Sequence, residues 1–301
     1  MDNLMYRHSF NSGDLLTALP GIKHLYKQTG RKAAVYQRLN LPVDYGHNDP
    51  HPIRSEDGKQ VCMNRRMFDM LKPLIEKQEY VESFNVWEGQ KFDIDYDLTR
   101  QNSGMPLPGG SIHKWPSLIY PQLECDLDEP WINVDDAKRR THSDGTVDSG
   151  CISIGDGRWT DNICDETACK GKILINRTAR YNNPYISYHF LKEYCNQIIF
   201  LGTKEECNSF CSQWGLCCDG WNYIYRLQVG DFYKLAQAIK ECKFFIGNQS
   251  FCWHLADAMK IPRILEVCQQ FPNTFPTGKN GYSFLLQQSL EFRFNKLLNE
   301  D

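Results

Sequence analysis

The sequence lacks the features that mark several large classes of protein. No run of about 18 apolar residues occurs, so we expect no transmembrane helix. Residues 1–8 lack the apolar core of a secretory signal peptide. The net charge is only −3, which argues against broad, non-specific binding of nucleic acid. We therefore expect a globular protein of the cytoplasm, for which peripheral contact with a membrane surface stays open.

The common nucleotide-binding and hydrolase motifs are also missing. The chain contains no GxGxxG loop, no Walker loop and no protein-kinase motifs. It also has no GxSxG nucleophile elbow and no HExxH zinc motif. A Rossmann oxidoreductase is therefore the least favoured of the nucleotide-binding classes.

Cysteine is abundant, but the spacings of a typical zinc site are not present. The 13 cysteines are an odd number in a long chain, and several lie in apolar segments. The closest spacings are Cys164-x4-Cys169, Cys207-x3-Cys211 and the adjacent pair Cys217-Cys218, none of which is a CxxC pair. We therefore expect reduced, mostly buried thiols, and keep a zinc site as the alternative.

Strand and helix patterns alternate along the chain, most clearly in its second half. Apolar runs predict strands there at residues 172–176, 197–201, 224–227, 244–247 and 263–267. Helical patterns fall between them at residues 186–195, 204–214, 231–243 and 250–260. This alternation predicts an α/β fold with parallel sheets, in which ligands bind at the carboxyl ends of the strands.

A polar stretch divides the chain into two predicted domains. Residues 133–169 are rich in Gly, Asp, Ser and Thr, and we place a linker near their end, at about residues 160–170. The predicted domains are residues 1–165 and 166–281, followed by an amphipathic helix within residues 282–301. A chain of 301 residues is long enough for two domains.

The most informative segment is a predicted strand–turn–helix corner at residues 244–259. The strand ends at Gly247, and Ser250 is a good N-cap for the helix that follows. The free N–H groups and the dipole of such a helix attract an anion, for example a diphosphate. His254 follows Ser250 by four residues on the same helical face, where it either contacts the phosphate or holds the turn.

Charged residues at other element ends are further candidates. Arg177 and Arg180 follow a predicted strand, where guanidinium groups can bind phosphate or simply be solvated. Glu266 ends another strand and either binds ribose hydroxyls or is an ordinary strand-end charge. Asp14, after Gly13, begins a helix, where it either accepts a proton from a substrate or caps the helix.

One strand pattern carries three alternating aspartates. Asp93, Asp95 and Asp97 lie two residues apart and so share one face of the predicted strand at residues 92–98. The spacing is similar to a DxD metal motif. A solvated strand face is the favoured interpretation.

Together these segments resemble the heptosyltransferase-like glycosyltransferases, which form glycosyltransferase family 9. The N-terminal signature of that family is Gly-Asp, an apolar residue and Thr/Ser-x-Leu-Pro, and residues 13–20 read GDLLTALP. Its late signature is Gly-x-Asp-Ser/Thr-Gly-x-x-His-Leu-Ala, and residues 247–256 read GNQSFCWHLA. Two positions depart from it, since Gln249 replaces Asp and Phe251 replaces Gly.

The resemblance implies a GT-B fold, in which two Rossmann-like domains with parallel sheets face each other across a cleft. It implies that the last helix packs back on the first domain. It assigns Asp14 as general base, with Gly13 and Thr17 on the acceptor side. With the residue patterns above, it assigns the donor to Arg177, Thr178, Arg180, Asn248, Gln249, Ser250, His254 and Glu266.

The implied activity is sugar transfer from a nucleotide-diphosphate donor to an acceptor hydroxyl. In the family the reaction is inverting and independent of a metal or other cofactor. The acceptor stays open among a glycan, a lipid-linked core sugar, a modified nucleic-acid base and a protein side chain. The departures at Gln249 and Phe251 leave a catalytically silent nucleotide- or sugar-binding protein as an alternative. A sugar-nucleotide epimerase of the same fold is a third reading.

Overall fold

A computed structural model of the chain describes residues 3–43, 51, 53–96, 109–136, 151–154, 158–163, 166–216 and 224–300. The chain forms two compact units. The first unit comprises Met1–Asn133 with Asp231–Tyr233 and Pro272–Thr274, and the second unit comprises the remaining residues. The division at residue 133 lies well before the boundary that the sequence predicts near residue 165.

The first unit is built on a four-stranded parallel sheet. Its strands are β1 (Leu4–His8), β2 (Ala33–Gln37), β3 (Val81–Val86) and β4 (Ile94–Asp95). Its helices are α1 (Ser12–Thr29), α2 (Arg65–Glu76) and α3 (Trp115–Ile119), with short 3₁₀ helices at Ile112–Lys114 and Pro121–Leu123. The sheet order is β3-β2-β1-β4.

Helix α1 runs through a proline because a distant side chain satisfies the carbonyl that the proline leaves unbonded. Pro20 has no N–H, so it cannot bond the carbonyl of Leu16 four residues earlier. The indole N–H of Trp131 donates to that carbonyl at 2.9 Å. The helix ends at Gly30, whose φ of 69° lies in the left-handed region that favours glycine.

The second unit contains an eight-stranded sheet. Its strands are β5 (Cys151–Ile154), β6 (Arg158–Ile163), β7 (Ile173–Asn176), β8 (Ile198–Leu201), β9 (Tyr225–Leu227), β10 (Phe244–Asn248), β11 (Arg263–Glu266) and β12 (Gly281–Phe284). Its order is β12-β11-β10-β7-β8-β9-β6-β5, and every pair is parallel except β5 with β6. The predicted α/β fold with parallel sheets is therefore confirmed.

Four α-helices and two 3₁₀ helices follow the described strands of this part of the chain. The α-helices are α4 (Lys204–Trp214), α5 (Phe232–Glu241), α6 (Phe251–Met259) and α7 (Gln287–Asn299). The 3₁₀ helices are Glu166–Cys169 and His189–Gln197. The second of these replaces the α-helix predicted at residues 186–195.

The early boundary of the second unit follows from its edge strands. β6 pairs in parallel with β9, and β5 extends the sheet beyond β6. Edge strands need no continuous apolar run, so this polar segment resembled a linker in sequence. Of the strand predicted at residues 92–98, residues 92–96 are described, and only Ile94–Asp95 form a strand, β4. Asp97 lies outside the described residues.

Helix α7 packs on the sheet of the second unit. Leu290, Phe294 and Leu297 are buried in one apolar cluster with residues of β7 and β10, and the rings of Phe294 and Phe244 lie 5.5 Å apart. α7 begins three residues after β12 ends, and so short a connection favours packing on the same sheet. The expectation that this helix packs on the first domain stays a prediction. Among the described helices, none combines the length and apolarity required to cross a bilayer.

Candidate functional site

The predicted strand–turn–helix corner forms between β10 and α6, and we call residues 247–252 the β10–α6 corner. β10 lies between β7 and β11, and the three strands are parallel, so their carboxyl ends share one edge of the sheet. Ser250 is the N-cap of α6, and its hydroxyl accepts from the N–H of Trp253 at 3.3 Å. The same hydroxyl donates to Oδ1 of Asn176 at 2.6 Å. The start of α6 is thus tied to the end of β7.

Gly247 allows β10 to approach β7 closely. A Cβ at this position would lie 2.8 Å from the carbonyl oxygen of Asn176 and 2.7 Å from the ring of Phe245. Because the first neighbour is backbone in an adjacent strand, it cannot move aside without disturbing the sheet. The glycine is therefore required by packing.

We expect Gly247→Ala to lower the free energy of unfolding of the second unit by about 1–3 kcal/mol, the usual effect of overpacking. The measurement is urea unfolding followed by tryptophan fluorescence. Gly230→Ala is the matched control, since a Cβ there would meet no atom within 4 Å. Equal unfolding midpoints for the two variants would contradict the packing argument.

Asn248 holds the loop that follows β7. Its side chain is fully buried. Its Oδ1 accepts from the N–H of Thr178 at 3.1 Å, and its Nδ2 donates to the carbonyls of Thr178 at 2.9 Å and Arg180 at 2.5 Å. The sequence assigned Asn248 to the donor. In the structure the carboxamide is engaged by the loop and positions it. The contact with the donor stays a prediction.

Arg177 and Glu266, both assigned to the donor from the sequence, form an ion pair with each other. Nε and Nη2 of Arg177 donate to the two carboxylate oxygens of Glu266 at 2.9 and 3.1 Å. The hydroxyl of Tyr188 donates to the same carboxylate at 2.7 Å, and the N–H of Asn183 donates to it as well. Glu266 is fully buried and Arg177 is 9% exposed.

This ion pair gives both predicted donor residues partners within the protein. The carboxylate of Glu266 accepts hydrogen bonds from three residues of the protein, and its contact with ribose hydroxyls stays a prediction. The guanidinium of Arg177 is directed at Glu266 and at the carbonyl of Asn183, at 3.2 Å. Both residues therefore hold the loop after β7 to the end of β11.

Two neighbours of the Glu266 carboxylate, Arg177 and Tyr188, have raised pKa values. Burial alone would lower the pKa of Arg177, but the hydrogen bonds and negative charge of Glu266 outweigh it and raise the pKa. Burial, followed by the charge of Glu266, raises the pKa of Tyr188 well above its usual range. The hydroxyl of Tyr188 therefore stays protonated and donates a hydrogen bond to Glu266.

The remaining predicted donor residues lie at or beside the β10–α6 corner. Gln249 is half-buried there, and His254 is buried on α6, where its N–H bonds the carbonyl of Ser250 at 3.0 Å. Arg180 is half-buried in the loop that Asn248 holds. Burial raises the pKa of Cys252 to about 12, so its thiol stays protonated despite its place in the first turn of α6.

In the first unit, Asp14 is the third residue of α1 and caps it. The carboxylate accepts from the backbone N–H and the side-chain amide of Asn11, each at 3.2 Å. Asp14 is 9% exposed, and Gly13 beside it is half-buried. The hydroxyl of Thr17 donates to the carbonyl of Asp14 at 2.8 Å. The helix-capping interpretation is therefore confirmed.

Asp93 and Asp95, at and just before β4, both accept hydrogen bonds from β1. Asp95 is buried and forms an ion pair with Arg7, whose Nε donates to it at 3.1 Å. Asp93 accepts from the N–H of Met5 at 2.9 Å. Within the part of the chain that the structure describes, no three His, Cys, Asp or Glu residues form a group that could hold a metal ion. Cys164, Cys217 and Cys218 lie outside that part.

The sequence did not indicate three residues around this edge of the sheet. The hydroxyl of Tyr188 and the backbone N–H of Asn183 complete the hydrogen bonds to Glu266, and Phe271 contacts the ring of Tyr181 in the loop after β7. None of them belongs to a motif of the resemblance. Only their position beyond the ends of strands β7 and β11 gives a signal in the sequence.

No family model matches this chain, and no curated protein matches its sequence. Its fold does match solved structures across almost its full length. The chain is similar to Escherichia coli ADP-heptose lipopolysaccharide heptosyltransferase II, with 12% identity, a TM-score of 0.51, and 98% of each chain covered.

Two further structures show the same similarity. E. coli heptosyltransferase WaaC with ADP-2-deoxy-2-fluoro heptose matches at 11% identity and a TM-score of 0.53, over 98% of this chain and 99% of that one. A family 9 glycosyltransferase from Veillonella parvula matches at 10% identity and a TM-score of 0.51, over 99% and 89% of the two chains. The predicted GT-B fold is therefore confirmed: this chain has the fold of the heptosyltransferases.

Proposed function

We propose that the protein is a glycosyltransferase that moves a sugar from a nucleoside-diphosphate donor to an acceptor hydroxyl. The observation that carries the proposal is the β10–α6 corner, where Ser250 caps the helix and is tied to Asn176, within a fold shared with heptosyltransferases. One of those neighbours was solved with a nucleotide-sugar analogue, and another structure of it with ADP. We also propose that the protein lies in the cytoplasm, where a chain with 13 cysteines is kept reduced.

In the proposed reaction the acceptor oxygen attacks the anomeric carbon of the donor directly. The new carbon–oxygen bond forms as the bond from the anomeric carbon to the diphosphate oxygen breaks, which inverts the configuration. Asp14 takes the proton of the acceptor hydroxyl. The nucleoside diphosphate leaves with the bonding electron pair, and the N-terminus of α6 and Arg180 stabilise its negative charge. No step of this proposal uses a metal.

The second candidate is a protein on the same scaffold that binds a nucleotide or sugar without turnover. Gln249 and Phe251 favour it, because both depart from the late signature at the β10–α6 corner. The two candidates differ in a simple respect. The transferase releases free nucleoside diphosphate when an acceptor is present, and the silent protein does not.

Thermal unfolding in the presence of nucleotides tests the shared part of the proposal. The panel contains ADP, UDP, GDP and CMP together with a sugar conjugate of each base. We expect the nucleotide and the nucleotide sugar of one particular base to raise the unfolding temperature. A ligand at 100 times its dissociation constant stabilises the folded state by about 2.7 kcal/mol. An unchanged unfolding temperature with every member, at millimolar concentration, contradicts the proposal.

A further inference from the structure

Two aromatic side chains from different loops meet at the carboxyl edge of the second sheet. Tyr181 lies in the loop that follows β7, and Phe271 lies five residues after the end of β11. Their ring centroids are 5.8 Å apart and their planes are at 79°. Phe271 is 55% exposed, and Tyr181 is half-buried. A contact so open to solvent adds little to the core, and we call the two side chains the aromatic pair.

The aromatic pair joins the two loops that flank the end of β10. In the sheet, β7 and β11 lie on either side of β10 and run parallel to it, so the loops that follow them leave from the same edge as the β10–α6 corner. The contact between the two rings bridges these loops. Asn248, the last residue of β10, also holds the loop of Tyr181 through the carbonyl of Arg180. The pair therefore lies at the same edge of the sheet as the corner.

The backbone at Tyr181 is held in a costly conformation beside a positive charge. Its φ of 57° lies in the left-handed region, which is unfavourable for a bulky side chain. The guanidinium carbon of Arg180 lies 4.6 Å from the centroid of the Tyr181 ring, and Nη2 donates to its hydroxyl at 2.6 Å. The loop after β7 thus carries an aromatic face and a cation at the edge of the sheet where α6 begins.

The shape of the pair suits a sugar ring better than a nucleobase. A flat base stacks on a ring that lies parallel to it, whereas two rings at 79° form an angled wall. A pyranose or heptose ring is not flat, and it presents C–H groups to the electron-rich aromatic faces. In a nucleotide sugar one bridging oxygen joins the anomeric carbon to the diphosphate, so a diphosphate bound at the corner would bring the sugar to the edge of the sheet that carries the pair.

We propose that Tyr181 and Phe271 hold the transferred sugar of the donor and so determine which sugar the protein accepts. This inference rests on the proposed function and extends it to one part of the substrate. Neither residue touches the reacting atoms in this proposal; they bind the ring and orient it.

The test is calorimetric titration of the full chain with a nucleoside diphosphate and with the nucleotide sugar of the same base, taken from the panel above. The variants are Phe271→Ala, Phe271→Tyr and Phe292→Ala. Phe292 is the matched control, because it is a phenylalanine of the same unit that is 65% exposed on α7.

We expect Phe271→Ala to weaken binding of the nucleotide sugar about 3- to 10-fold, the range for the loss of one aromatic contact. Binding of the nucleoside diphosphate should change less than about twofold, since the diphosphate is held by the corner. Phe271→Tyr should restore affinity for the sugar form, and Phe292→Ala should behave as the wild type.

The other outcomes separate the two proposals. If the wild type binds a nucleoside diphosphate and Phe271→Ala weakens both ligands equally, or neither, the aromatic pair does not hold the sugar and this inference is overturned while the proposed function stands. If the wild type binds no member of the panel, the proposed function fails and this inference falls with it.

Discussion

Asp14→Asn is expected to lower the rate of sugar transfer by about 10²- to 10⁴-fold, the usual contribution of a positioned general base. The amide keeps the size of the side chain and can still accept from Asn11, so α1 should stay capped. Binding of the donor should not change, because the donor residues of the proposal belong to the second unit. The measurement is the release of nucleoside diphosphate in the presence of an acceptor, with the dissociation constant of the donor measured in parallel.

The variant Asn11→Ala distinguishes the role of Asp14 as general base from its role as helix cap. It removes the side-chain partner of the Asp14 carboxylate and leaves the carboxylate in place. A lost cap costs about 0.5–2 kcal/mol of stability and should leave most of the transfer rate. A rate for Asp14→Asn within threefold of the wild type would show that Asp14 only caps the helix.

Glu266→Gln is expected to lower the free energy of unfolding of the second unit by about 3–5 kcal/mol, because it leaves the guanidinium of Arg177 buried without its counter-charge. This value is supported by two observations: Glu266 is fully buried, and its carboxylate accepts hydrogen bonds from three neighbouring residues. The measurement is urea unfolding of the variant and the wild type. Arg177→Met combined with Glu266→Gln should lose less than the sum of the single variants, as expected for a coupled pair.

An exposed ion pair provides the control for this prediction. Arg65 and Asp69 lie one helical turn apart on α2, with side chains 69% and 52% exposed. Asp69→Asn should therefore change the free energy of unfolding by no more than about 0.5 kcal/mol. If Glu266→Gln instead unfolds like the wild type and loses nucleotide binding, Glu266 contacts the donor, as the sequence first predicted.

The sequence predicted the order of the strands and helices in the second unit because that signal is local. Apolar runs mark β7, β8, β10 and β11, and a glycine follows β8 directly. Ser250 was identified as the N-cap of α6 from its residue type alone, and its hydroxyl does accept from Trp253. Such features depend on a few adjacent residues.

The partners of charged side chains were not predictable, because they depend on contacts between residues far apart in sequence. Arg177 and Glu266 are 89 residues apart, and nothing in either segment shows that the two will meet. Both were assigned to a ligand because they follow strands. The division between the two units at residue 133 was not predicted for a similar reason. β6 belongs to the second sheet through its pairing with β9, which lies more than 60 residues later in the chain.

The central claim is that the β10–α6 corner and the loop that Asn248 holds bind the diphosphate of a nucleotide. Amide hydrogen exchange of the full chain, with and without the nucleotide sugar that stabilises it most, tests this claim directly. The account predicts slower exchange at residues 249–254 and 178–181 when the ligand is bound. Unchanged exchange in both segments, with protection elsewhere or nowhere, would contradict it.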